Sequence, residues 1–384
     1  MQNFTYHNPV NIVFGRGTIP ELTRLVPQNA KTLVTYGGGS IKQNGVYEQV
    51  MKALAGQQVI EFGGIEPNPR FETLMKAVET ARAEQVTFLL AVGGGSVIDG
   101  TKFIAAAIPW KHGEEWDILA KRPALSEAVP FGCVLTLPAT GSEMNAGSVI
   151  SREETAEKRV FTDSHVYPVF SILDPETTFS LSERQTANGI VDAFVHVMEQ
   201  YLTYPVNAPL QDRQAEAILL TLVEEGPKIL RDPANYDLRA TIMWSATLAL
   251  NGLIACGVPQ DWSTHMIGHE LTAFHGIDHA RTLAIVLPAM MSYRRASKRA
   301  KILQYGERVW NITDGDDEER IVAAIARTKA FFNSLGAPTS LADYGIGSET
   351  IDRIGRRIGE RGVRLGEHRD IGGAEAVDIL RLCL

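Results

Sequence analysis

From Lys31 to Leu137 the chain repeats one pattern: a short apolar run, a cluster of small residues, then a longer segment with helical spacing. Lys31-Thr-Leu-Val-Thr-Tyr36 predicts a strand that stops at Gly37-Gly-Gly-Ser40. Gln57-Gln-Val-Ile-Glu-Phe62 predicts a second, closed by Gly63-Gly64 and the Pro67-Asn-Pro69 turn. Leu74, Val78 and Ala81 recur at helical spacing between residues 71 and 85. Thr87-Phe-Leu-Leu-Ala-Val92 is apolar without alternation, which fits a strand buried on both faces, and it runs into Gly93-Gly-Gly-Ser96. A helix over Val97–Ala107 follows, and Cys133-Val-Leu-Thr-Leu137 predicts a further strand entering Pro138-Ala-Thr-Gly-Ser-Glu143. Strands alternating with helices predict an α/β, Rossmann-like domain with a parallel sheet covered on both faces. Ligands of such sheets bind beyond the carboxyl ends of the strands, where the turns at 37–40, 93–96 and 138–143 fall.

After Leu173-Asp-Pro175 the strand pattern fades. Helical spacing covers 183–202, 211–230, 237–254, 262–274, 282–294, 298–309, 317–335 and 349–360. The expected organisation is an α/β dinucleotide-binding domain over 1–180 and an all-helical domain over 181–384.

Composition narrows the partners. With 37 basic and 45 acidic residues the net charge is −8, which argues against nucleic acid or an anionic membrane surface as the main partner. No apolar run reaches the ~20 residues that span a bilayer, and Met-Gln-Asn-Phe-Thr-Tyr-His lacks the basic and apolar regions of a signal peptide. Cys133, Cys256 and Cys383 are few, odd in number and far apart, so a reducing, cytoplasmic setting is expected.

Candidate chemistry lies in two places. Gly93-Gly-Gly-Ser-Val-Ile-Asp99 joins a strand to a helix, where backbone N–H groups and the helix dipole suit a phosphate. Ile98 stands where the third glycine of Gly-x-Gly-x-x-Gly belongs, so the ordinary dinucleotide fingerprint is absent. Thr136, Thr140 and Ser142 offer further donors or simply cap helices. The Gly37–Ser40 turn carries no acid for a ribose 2′-hydroxyl and is followed by Ile41 and Lys42. Small residues, a hydroxyl and a lysine favour a 2′-phosphate, hence NADPH, unless Lys42 is merely a solvated helix residue. The second place is a histidine-rich window. Asp192 and His196 are spaced i, i+4, as are His265 and His269, and His275 and His279 follow. A carboxylate and imidazoles drawn from two helices suit a divalent ion such as Zn²⁺ or Fe²⁺.

With these motifs in hand, the chain resembles the iron-containing (group III) alcohol dehydrogenases, most nearly the NADPH-dependent aldehyde reductases and butanol dehydrogenases. The resemblance spans essentially the whole chain, and its motifs are the 93–99 turn, Thr136-Leu-Pro-Ala-Thr-Gly-Ser-Glu143, Asp192-Ala-Phe-Val-His196, His265-Met-Ile-Gly-His269 and His275-Gly-Ile-Asp-His279. It implies metal ligation by Asp192, His196, His265 and His279, with His269 close to metal and substrate and His275 near the nicotinamide. It places the pyrophosphate on Gly94, Gly95 and Ser96 beside Asp99, with Thr136, Thr140, Ser142 and Lys158 along the cofactor. Gly37, Gly38, Gly39, Ser40 and Lys42 become the 2′-phosphate site. It also implies a homodimer, through the strand around Asn11-Ile-Val-Phe14.

The expected reaction is reversible reduction of short-chain aldehydes to primary alcohols by NADPH and one divalent metal, with His269 as the side-chain candidate for the proton donor and water or a ribose hydroxyl as the alternatives. Asn145, Val149 and Leu253 are candidate substrate contacts. The alternative within enzymes is an NAD-dependent diol or polyol dehydrogenase; outside them, a nucleotide- or metal-binding regulator without turnover.

Overall fold

The computed structural model describes residues 1–384. Its strands are β1 (Asn11–Phe14), β2 (Lys31–Tyr36), β3 (Gln58–Phe62), β4 (Phe88–Gly94), β5 (Phe131–Leu137), β6 (Gly147–Arg152), β7 (Glu157–Thr162) and β8 (Phe170–Leu173). Six of them form one sheet in the order β1-β8-β5-β4-β2-β3, and every pairing in it is parallel. This is the parallel α/β fold expected. Five helices accompany the strands: α1 (Leu22–Leu25), α2 (Val46–Ala53), α3 (Phe71–Ala83), α4 (Gly95–Ala107) and α5 (Asp117–Ala120).

Successive side chains of a strand point to opposite faces, and β4 shows it directly. Leu89 and Ala91 enter the core shared with α3 and α4. Phe88, Leu90 and Val92 enter the core on the other face, with residues of α2. Burial of both faces explains the unbroken apolar run, and each fully buried side chain of this size contributes about 1.5–3 kcal/mol. Between Gly93 and Gly94 the register with β5 shifts, so that Gly93 pairs with Leu135 and Gly94 with Leu137. The strand thus ends in a bulge, and Thr136 is the residue passed over.

Hydrophobic pattern alone did not reveal β6, β7 and β8. β6 and β7 form a separate antiparallel pair, with Ser151 opposite Lys158. β7 begins Glu-Lys-Arg, and only Phe161 in it is buried, so it carries little apolar signal. β8 is short, four residues, and gains its place by pairing with β1 and β5.

The remaining helices are α6 (Glu183–Tyr201), α7 (Pro209–Arg231), α8 (Tyr236–Ala249), α9 (Ser263–His275), α10 (His279–Tyr293), α11 (Arg299–Trp310), α12 (Asp317–Ser334), α13 (Ser348–Glu360) and α14 (Gly373–Arg381). All but α14 match an expected helix, and α8 stops at Ala249, short of Ile254. The chain divides into two compact units. One holds His7–Ser182 and Pro233–Thr247; the other holds Met1–Tyr6, Glu183–Asp232 and Leu248–Leu384. Most of α8 therefore belongs with the sheet: Met243 is buried in its core, and Thr247 donates a 2.5 Å hydrogen bond to Glu143 Oε1. No helix is long and apolar enough to cross a membrane.

Candidate functional site

In the helical unit, α6 presents Asp192, His196 and Glu199 on one buried face, as their spacing requires. His265 and His269 lie one turn apart on α9, and both are buried. His279 is the first residue of α10, so three helices supply the imidazoles and carboxylate, not two. Two devices hold α10 there. Gly268 lies where a Cβ would stand 2.8 Å from Thr282 Oγ1, so its bare backbone allows α9 and α10 to approach. Asp278 accepts from Arg184 Nε at 2.7 Å and Asn188 Nδ2 at 2.8 Å, tying the start of α10 to the start of α6.

The result is convergence on one oxygen. His196 Nε2, His265 Nε2 and His279 Nε2 lie 3.6, 3.8 and 3.7 Å from Asp192 Oδ1. One ligand atom each from Asp192, His265 and His279 lie within 4.8 Å of one another. These distances are too long for hydrogen bonds. Ligand atoms sharing one ion at about 2.0–2.2 Å stand roughly 3.3–3.6 Å apart in a tetrahedral arrangement, close to the spacing here. His265 Nε2 is buried without a hydrogen-bond partner, while its Nδ1 contacts Glu199 Oε2. A proton held on Nδ1 leaves the Nε2 lone pair directed inward, the tautomer a ligand needs. The donor set therefore fits a divalent ion.

Electrostatics agree. Burial disfavours a charged His265, but the Glu199 and Asp192 carboxylates outweigh it and lift its pKa to about 9. The pocket wants positive charge, and a cation supplies it while leaving the imidazole neutral. Glu199 is the functional residue missed from the sequence. Besides orienting His265, it accepts from Thr264 N at 2.6 Å and so satisfies the first turn of α9. The missed signal was its position seven residues after Asp192, on the same helix face. Trp262, at the N-cap of α9, holds a left-handed φ of 61° and sets its ring edge-on to His265, centroids 5.3 Å apart. A bulky side chain in that conformation is a strained feature beside the site. His269 lies within this group, its ring centroid 5.0 Å from that of His279. His275 stands apart at the end of α9, exposed, with Nε2 3.0 Å from Thr350 Oγ1.

In the α/β unit the turn after β4 is shaped by contact. A Cβ on Gly95 would lie 2.3 Å from Thr140 Oγ1, so the α4 N-terminus and the Thr140 turn touch through a glycine. Gly94 and Ser96 remain half-buried at its mouth, and Ser96 Oγ accepts from Asn68 N at 3.3 Å. Lys158 Nζ reaches the same Asn68, 2.8 Å from Oδ1. Asp99 is committed inward: it accepts from Ser142 Oγ at 2.5 Å and Val149 N at 3.0 Å. Lys102, one turn on, donates to Asn145 Oδ1 at 3.0 Å and Gly147 O at 2.8 Å. Burial lowers the Lys102 pKa to about 8, and burial likewise raises that of Asp99. This buried pair pins the Ser142–Val149 segment against α4. Thr136 is half-buried beside the bulge. Leu253, in the helical unit, is 37% exposed.

The turn after β2 is open. Gly38 and Ser40 are exposed, and a Cβ on Gly38, or on Gly39 with its φ of +93°, would meet nothing within 4 Å. No neighbour in the chain demands glycine at 38. Lys42 Nζ lies 3.4 Å from Glu61 Oε2.

Comparison with known proteins places these features in a family. A model described as iron-containing alcohol dehydrogenase matches residues 9–175, and one described as the Fe-containing alcohol dehydrogenase family, C-terminal, matches residues 186–382. The chain is 60% identical over 374 residues to the NADPH-dependent aldehyde reductase YqhD of Escherichia coli, covering 97% of each. It is 44% identical over 389 residues to a probable NADH-dependent butanol dehydrogenase of Bacillus subtilis, covering 100% of each. The solved substrate- and cofactor-free form of YqhD superposes with a TM-score of 0.93, at 56% identity and 100% coverage of both chains. An NADH-dependent butanol dehydrogenase A from Thermotoga maritima gives 0.95 at 38% identity, covering 100% of this chain and 99% of that one. Matched along both halves and at high identity over nearly its whole length, the chain belongs to the iron-containing alcohol dehydrogenases, a family of oxidoreductase enzymes.

Proposed function

We propose that this enzyme reduces short-chain aldehydes to primary alcohols with NADPH and one divalent ion, iron or zinc, and runs in reverse as an alcohol dehydrogenase. The observation that carries the reading is the meeting of three imidazole Nε2 atoms around Asp192 Oδ1 at 3.6–3.8 Å. The ion, when bound, supplies Lewis-acid polarisation of the substrate carbonyl. NADPH supplies the hydride, and the chain supplies position. Asp192, His196, His265 and His279 hold the ion, and Glu199 keeps His265 in the ligating tautomer. Gly94, Gly95 and Ser96 receive the pyrophosphate at the α4 N-terminus, while Thr136, Thr140, Lys158 and His275 complete the cofactor contacts. Asp99 and Ser142 bond each other and keep the turn in shape. Gly37, Gly38, Gly39, Ser40 and Lys42 receive the 2′-phosphate. That open turn, with the 60% identity to an enzyme named NADPH-dependent, favours this reading over an NAD-dependent diol dehydrogenase.

His269 is the side chain proposed to deliver a proton to the carbonyl oxygen. The expected result for His269→Phe is turnover reduced about 10²-fold, the scale of one general acid, with metal content unchanged. Elemental analysis beside kcat separates the roles: if the ion leaves with the imidazole, His269 is a ligand instead.

The whole reading is tested by initial rates of NADPH oxidation with butanal before chelation, after it, and after Zn²⁺ or Fe²⁺ is restored. A rate that vanishes and returns is expected. Undiminished oxidation in the metal-free protein would remove the Lewis-acid role, and oxidation in none of the three states would remove the reductase reading.

A cytoplasmic homodimer completes the proposal. All three cysteines are free and buried, as a reducing compartment allows. Strand β1 pairs with β8 on one side and is the edge of the sheet on the other, leaving it able to pair with a second copy.

A further inference from the structure

Beside the open turn after β2 stands a cluster of which the reading above uses only Lys42. Glu61, on edge strand β3, gathers three donors. Tyr47 donates to its Oε1 at 2.8 Å, while Tyr36 Oη and Lys42 Nζ approach its Oε2 at 3.1 and 3.4 Å. The Lys42 ammonium also sits over both rings, 4.8 Å from the Tyr36 centroid and 4.7 Å from that of Tyr47. Tyr36 is the last residue of β2, so the cluster adjoins the Gly37–Ser40 turn in sequence and space.

The three contacts differ in strength. Both tyrosine hydroxyls hold the carboxylate at ordinary hydrogen-bond distance. The lysine contact is the longest of the three, and the two ring faces give the ammonium a second set of partners that does not involve the carboxylate. Lys42 is therefore the member that can change partners while the Tyr36–Glu61–Tyr47 frame stays in place. An incoming phosphate dianion is the stronger partner for an ammonium. The same phosphate meets a fixed carboxylate just behind its lysine.

We propose that Glu61 is a cofactor-specificity determinant: it holds Lys42 in the free enzyme, yields it to the 2′-phosphate of NADPH, and by its own charge weakens NADPH binding without affecting NADH. The preference for NADPH is thereby set below what the turn alone would give. This inference rests on the 2′-phosphate lying at the Gly37–Lys42 turn. Lys42 is the group that touches the phosphate, and Glu61 acts through Lys42 and through its field.

The experiment compares Glu61→Gln with wild type, using NADPH and NADH as the titrated ligands in both binding and steady-state assays. Glutamine keeps the length of the side chain and an acceptor for a tyrosine hydroxyl while removing the charge. At low ionic strength Kd and KM for NADPH should fall about three- to tenfold, as expected when one like charge is removed from a partly solvated site. Values for NADH and kcat should stay unchanged, and the NADPH gain should shrink in 0.5–1 M salt (roughly a 3–4 Å screening length). An unchanged or raised KM for NADPH overturns the inference, the latter by making Glu61 a clamp that the lysine needs. An equal change for both cofactors overturns it as well. Lys42→Ala, run in parallel, isolates the premise. If it weakens NADH as much as NADPH, the 2′-phosphate lies elsewhere and the inference falls with its premise, whatever Glu61→Gln does.

Discussion

Replacing His265 with alanine should abolish bound metal and turnover together. The substitution removes one of three imidazole nitrogens facing Asp192 Oδ1 and deprives Glu199 of the group it orients. Lewis-acid stabilisation of this kind is worth several kcal/mol, so kcat should drop by roughly 10³-fold or more. Metal content should fall in step, because the remaining ligands no longer close the set. The measurement pairs elemental analysis of purified protein with single-turnover NADPH oxidation. Glu199 retains its bond from Thr264 N, so α9 keeps its first turn and the fold should survive. A variant that keeps full metal and loses only rate would make His265 a catalytic group and not a ligand.

The second large effect is expected at the turn after β2. Gly38→Asp places a carboxylate where a Cβ meets nothing within 4 Å and where φ is not left-handed, so strain is not the reason for any change. The new charge would face the 2′-phosphate of NADPH and offer an acceptor to the ribose hydroxyls of NADH. At an exposed turn such repulsion is worth about 2–3 kcal/mol, so kcat/KM for NADPH should fall roughly 30- to 150-fold. One new charge-assisted hydrogen bond, about 1.5 kcal/mol, should raise kcat/KM for NADH around tenfold. Steady-state kinetics with both cofactors checks it. Equal losses for the two would move the phosphate away from this turn.

What could be read from the chain follows from how each residue earns its place. β2 and β4 are buried on both faces, so their apolar runs announce them. α6, α9 and their histidines are legible because helical spacing alone puts Asp192 with His196 and His265 with His269. The hairpin of β6 and β7 is another matter, since its Glu157-Lys-Arg159 start is polar and its pairing is set by tertiary contact. Lys102 and Glu199 were hidden for a different reason. Charged side chains in a helix are ordinarily solvated, and only the fold reveals that these two are buried against partners. Likewise, His279 follows a turn in the sequence, but Asp278 spends its carboxylate on Arg184 and Asn188, and the histidine becomes the opening residue of α10.

The threading of the chain has a consequence for how the protein is made. It passes between its two compact units four times, at residues 6–7, 182–183, 232–233 and 247–248. The sheet is laid down by Leu173, yet Met243 and Thr247, which fill its core and bond Glu143, are synthesised some seventy residues later. A nascent chain leaving the ribosome therefore carries all six parallel strands before it can close their unit. In that interval α6 and α7 emerge ahead of the helix the sheet is waiting for, and the incomplete core is open to misassembly. The two halves cannot mature strictly one after the other, and a chain stopped at Ser182 would lack Pro233–Thr247 of the sheet's unit.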